Sequence, residues 1–67
     1  MRKGRLSPRE VDVLRCVAQG MKAKLVGENL MIAPKTVERH KSNIMNKLQL
    51  KSQVDLAVYA VREGFIV

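Results

Sequence analysis

Apolar residues recur at three- and four-residue intervals in several stretches of this chain, the spacing that lines one face of an α-helix. Glu10, Val13, Leu14, Val17 and Ala18 share one side of a first helix. Ser7 stands at its N-cap, Pro8 at the first helical position and Glu10 three residues after the cap, the order of a capping box. Leu6 and Val11 occupy the positions of a hydrophobic staple, and Gly20 is placed to end the helix. A short second helix is expected from about residue 23 to residue 30. Gly27 inside it should cost about 1 kcal/mol relative to alanine, which suggests close approach of another helix.

A third helix is expected over 34–49, opened by Pro34 with Ile32 and Val37 as a second staple. Val37, His40, Ile44 and Leu48 form its apolar stripe, while Lys35, Glu38, Arg39, Ser42 and Asn46 cluster opposite. A fourth helix is expected over 53–63, begun by Ser52 with Asp55 and stopped by Gly64. It carries two apolar stripes: Val54, Ala57, Val58 and Val61, and then Leu56, Tyr59 and Ala60. A surface helix of a monomer needs one, so the second is assigned to a partner copy. No stretch sustains strand-type alternation. The expected fold is all-α, a compact four-helix domain spanning 6–67 behind a basic tail or linker remnant over 1–5.

Sixty-seven residues make one small domain with one core. The formal charge is +7, which points to an anionic partner. The charge is segregated: residues 34–51 hold five basic groups and one acidic, whereas 52–67 are slightly acidic. The last segment therefore lies outside the polyanion-facing surface. One cysteine, Cys16, excludes an internal disulfide, and one histidine, His40, makes no zinc site. His40 reads as a packed, hydrogen-bonded core residue, Cys16 as a small hydrophobe, and Met21, Met31 and Met45 as packing residues. Glu10, on the inward side of its helix, needs a cation, and Lys24 and Lys47 both fit. No apolar run reaches membrane-spanning length, and no signal-peptide segment follows Arg2-Lys3-Gly4-Arg5. A cytoplasmic protein without cofactor or metal, and not an enzyme, is expected. No nucleophile–base pairing or phosphate loop appears.

The second helix, the turn at 31–33 and the third helix make a helix-turn-helix, whose second helix enters the major groove of DNA. Arg39 suits guanine and Asn43 adenine through paired hydrogen bonds, Glu38 can accept from the cytosine amino group, and Ser42 is permissive. Lys35, Thr36, Lys41 and Lys47 are placed for phosphates, as are the unpaired amides at the start of the third helix. The competing reading is a protein-interaction module built on the fourth helix, with only non-specific affinity for DNA.

The run Leu6-Ser7-Pro8-Arg9-Glu10-x-Asp12-Val13-Leu14, then Ala18-x-Gly20, Lys24 and Thr36-Val37-x-x-His40-x-x-x-Ile44-x-x-Lys47-Leu48 resembles the LuxR/FixJ-type helix-turn-helix. The segment from Pro34 to His40 is most similar to the FixJ-like response-regulator branch. The resemblance implies a four-helix bacterial transcription-regulator domain that binds double-stranded operator DNA as a homodimer, with the fourth helices paired and RNA polymerase as a further partner. It places the helix-turn-helix over 23–42, base reading on Glu38, Arg39 and Ser42, and phosphate contact on Lys24, Lys35, Thr36 and Lys41. Relatives usually carry this domain behind a receiver or sensing domain, so a fragment and a stand-alone regulator both fit. The chain departs from the pattern at Lys22 and Ala23 (usually serine or threonine, then asparagine), Leu25 (acidic), Gly27 (alanine), Ala33 (serine) and Gln53 (arginine). A less stable second helix and a changed polar network beside the fourth follow from these departures.

Overall fold

The computed structural model describes residues 5–66 and contains α1 (Pro8–Ala18), α2 (Ala23–Leu30), α3 (Pro34–Leu48) and α4 (Gln53–Arg62). No strand occurs among the described residues. The expected tail falls almost wholly outside them; Arg5, its last residue, is exposed.

The start of α1 follows its sequence. The Ser7 N–H donates to Glu10 Oε1 at 2.9 Å, and the Glu10 N–H donates to Ser7 Oγ at 3.2 Å, closing the capping box. At α4 the Ser52 hydroxyl accepts from the Asp55 N–H at 3.2 Å. The N-caps of α2 and α3, Lys22 and Ala33, supply no side-chain hydrogen bond. Helix α3 still has Pro34 at its first position, whereas α2 has neither a capping side chain nor a proline at its start.

Val13, Leu14 and Val17 of α1, Val26 of α2, Val37 and Ile44 of α3, and Leu56 and Ala60 of α4 form the buried core. Helix α1 is the hub and packs against the other three, and α2 packs against α3. Leu6 and Ile32, the outer members of the two staples, lie half-buried against this core. So do Cys16, Met21 and Met45. Met31 does not: it is 90% exposed and corrects the expectation of a packing residue.

Met31 is where it is for the backbone. It takes φ 60°, ψ 44° at the end of α2, and the Ile32 N–H then donates to the Gly27 carbonyl at 2.9 Å. The same left-handed step ends α3 at Gln49, with φ 56°. Gly27 has a different explanation from the one its helical position suggests. A Cβ there would lie 2.6 Å from the Ile32 carbonyl oxygen, so the close neighbour is the backbone of the following turn and not a side chain of another helix. Absence of a side chain at 27 lets the chain fold tightly back from α2 into α3.

A left-handed methionine with an unpacked side chain is a local strain that glycine lacks. Met31→Gly should raise the stability of the domain by about 0.5–1 kcal/mol in a denaturant melt. A lowered midpoint would mean that the Met31 side chain contributes packing.

Candidate nucleic-acid interface

Helix α3 is buried along one side and open along the other. Val37 and Ile44 are enclosed, and His40, Met45 and Leu48 are half-buried. His40 has no side-chain hydrogen bond among the described residues, so the expected partner is not found. On the opposite side Lys35, Glu38, Arg39, Ser42, Asn43 and Asn46 are all exposed. No side-chain hydrogen bond or ion pair involves Glu38, Arg39, Ser42 or Asn43 among the described residues. Thr36 and Lys41 sit half-buried at the two margins of the open face. Lys24 is exposed in the first turn of α2. Glu38, Arg39, Ser42 and Asn43 thus share one open face of α3, with Lys35 on the same face and Thr36 and Lys41 at its margins.

Among the described residues, Lys47 differs from that set in having an ion-pair partner within the protein. Its ammonium lies 2.7 Å from Glu10 Oε1, which decides between Lys24 and Lys47 as the cation for the buried carboxylate. Glu10 is buried, whereas the Lys47 side chain is 41% exposed. The same carboxylate oxygen accepts the Ser7 N–H. Burial disfavours the ionised carboxyl and is the largest single influence on it. The Lys47 hydrogen bond, the Ser7 amide and hydroxyl and the Lys47 charge together outweigh burial and hold the Glu10 carboxyl below its ordinary value of 4.5. The pair ties the C-terminal half of α3 to the first turn of α1, so it fixes which way the open face points.

A changed polar network beside α4 is expected from the departure at Gln53, and Gln53 makes one of the contacts there. Lys41 Nζ donates to Gln53 Oε1 at 2.9 Å, a link between the margin of α3 and the first residue of α4. This particular pairing was not foreseen; the substitution at position 53 was the available signal.

The stripe of α4 assigned to a partner copy is the wrong one. Leu56 and Ala60 are fully buried against α1, and Tyr59 is half-buried with its ring stacked on Phe65 at 6.1 Å. Those residues complete the monomer's own core. The exposed stripe is Val54, Val58 and Val61, at 70%, 48% and 55%, with Ala57 half-buried beside them and Arg62 at the end. The count of two stripes was right, but periodicity carries no sign that tells inside from outside when both stripes are apolar.

Residues 4–60 match the GerE domain of bacterial regulatory proteins, luxR family. The chain belongs to the luxR family. Among curated members, the oxygen regulatory protein NreC of Staphylococcus carnosus (strain TM300) is 45% identical over 61 residues, 91% of this chain and 28% of the relative. The proteins of that name from Staphylococcus haemolyticus (strain JCSC1435) and Staphylococcus aureus (strain JH9) show the same identity over the same shares. The chain therefore spans a little over a quarter of the length of these relatives. A luxR-family domain is a DNA-binding domain of transcription regulators, in accord with the helix-turn-helix at α2 and α3. No helix among the described residues is long and apolar enough to cross a membrane.

The lowered Glu10 value gives a signed pH dependence. The stabilisation from the Glu10–Lys47 pair is complete above the unfolded carboxyl's ordinary value of 4.5 and is lost as pH falls through the lower folded value. Urea unfolding of the wild type should weaken over that acid range, and Glu10→Gln should be less stable at neutral pH and lack this component of the slope. Parallel pH profiles for the two proteins would show that the pair is not the titrating element.

Proposed function

We propose that the domain regulates transcription by sequence-specific binding of duplex DNA, with α3 in the major groove. The observation that carries this reading is the free face of α3: four side chains able to read base edges, none engaged by side-chain hydrogen bonds or ion pairs among the described residues, on a helix whose other side is fixed in the core. A groove about 12 Å wide accepts one such helix. Arg39 reads guanine through two hydrogen bonds, Glu38 accepts from a cytosine amino group, Asn43 pairs with adenine at the margin, and Ser42 tolerates more than one base. Lys24, Lys35, Thr36 and Lys41 hold phosphates on either side. The N-cap residues of α2 and α3 supply no capping side chain, so the first-turn amides of these helices can hold phosphate as well. The domain acts in the cytoplasm as a regulator and not as an enzyme.

Two copies assemble on DNA through the exposed valine face of α4. Val54, Val58 and Val61 form an apolar strip on the one segment of the chain that is not basic, where two copies approach without strong repulsion. The protein-interaction reading shares this strip but assigns no use to the free face of α3.

Selection from random duplexes followed by titration tests the proposal. Arg39→Ala should weaken binding to the selected duplex by roughly 1–3 kcal/mol and relax preference at one base pair. Lys35→Ala should weaken selected and random duplexes alike and flatten the log–log salt dependence by about one contact, close to 0.9 in slope. Selection that returns no preferred sequence would overturn groove reading.

Val58→Asp should leave the melting curve nearly intact yet lower affinity for a two-half-site duplex, with little effect on a single half-site. Leu56→Asp should instead abolish folding, because it places a carboxylate in the core. Equal binding of Val58→Asp to both duplexes would dismiss the α4 dimer.

A further inference from the structure

Glu38 and Lys41 stand three residues apart on α3, acid before base, the order in which a helix favours an ion pair. They form none: among the described residues the carboxylate has no cationic partner. The Lys41 ammonium lies instead at 2.9 Å from the Gln53 side-chain oxygen, on α4. Glu38, Lys41 and Gln53 line one cleft, which leaves the carboxylate as a second acceptor on the same side of the helix as the cation. Lys35, also three residues from Glu38, stands in the less favourable order, base before acid, and is exposed.

We propose that Gln53 is a positioning residue for base recognition: by holding the Lys41 ammonium toward α4, it keeps the Glu38 carboxylate free to accept a hydrogen bond from a base. The inference rests on the assignment of Glu38 to base reading. Its physical content is a choice between two acceptors. With the Gln53 amide present, the ammonium is drawn to the α4 side and remains able to face a phosphate. Without it, the ammonium swings to Glu38, and a base amino group must then displace an ion pair. Gln53 so acts on specificity through Lys41 without touching DNA itself. Its amide carries no charge, so the selection comes from geometry and leaves the net charge of the surface unchanged.

The test uses the full chain and duplexes that differ only at the base pair whose preference Glu38→Ala alters. Gln53→Ala should lower discrimination among the four bases there by about twofold, the scale of a surface ion pair on a helix. Discrimination is a ratio between duplexes, so partial loss of folded protein does not affect it. Gln53→Glu retains an acceptor and should preserve discrimination while weakening all duplexes through its added negative charge. In a Lys41→Ala background, Gln53→Ala should change discrimination no further. Unaltered discrimination in Gln53→Ala, failure of Gln53→Glu to preserve it, or an undiminished effect without Lys41 would each overturn the role of Gln53. If Glu38→Ala alters no base preference, the assignment of Glu38 fails and this inference falls with it; if it does and Gln53→Ala does not, only Gln53 is at fault.

Discussion

One oxygen atom holds the arrangement together. Glu10 Oε1 accepts the amide that closes the cap of α1 and the ammonium of Lys47 from the far end of α3. Either contact alone would leave a buried carboxylate poorly satisfied. Together they join the start of the hub helix to the end of the helix whose outer face is free. Hydrophobic contact between α1 and α3 is non-directional and names no partner for any one atom. The charge-assisted bond adds direction and a fixed pairing to it. Lys47 lies in the last turn of α3 and Glu10 in the first turn of α1, so each charge also meets the favourable end of its own helix dipole.

Much of this structure was legible because it is local. The four helices, the Ser7 capping box, the staples at Leu6 and Ile32, and the two faces of α3 all follow from residue type and spacing. What was not legible required knowledge of a third partner. The two stripes of α4 are equally apolar, and only their relation to α1 decides that Leu56 and Ala60 are inside and Val58 outside. Met31 and Gln49 adopt the left-handed turn that sequence signals through glycine at Gly20 and Gly64, and neither residue type announces it. Gly27 announced a close approach correctly but not what approaches. Lys47 reads as one more cation until Glu10 is brought beside it.

The separation of roles along the chain is also electrostatic. The surface that α3 presents is basic, apart from Glu38, while α4 begins where the excess of positive charge ends. A strongly positive domain of this size repels its own copies. An apolar strip placed on the neutral-to-acidic segment lowers that repulsion where two copies would meet, and leaves the positive face for a polyanion.

Helix α2 has little of its own to hold it. It is eight residues long, lacks a side-chain cap, contains Gly27 and ends in a left-handed methionine. A helix this short is barely stable in isolation. It exists because α1 and α3 give it a surface to lie on. Of the four helices it is therefore the one whose amides should open to solvent most readily, and a polyanion laid across the first turns of α2 and α3 would act on it as a splint. Slowed amide exchange in those eight residues would then serve as a built-in gauge of occupancy, read from the part of the domain least able to stay folded unaided.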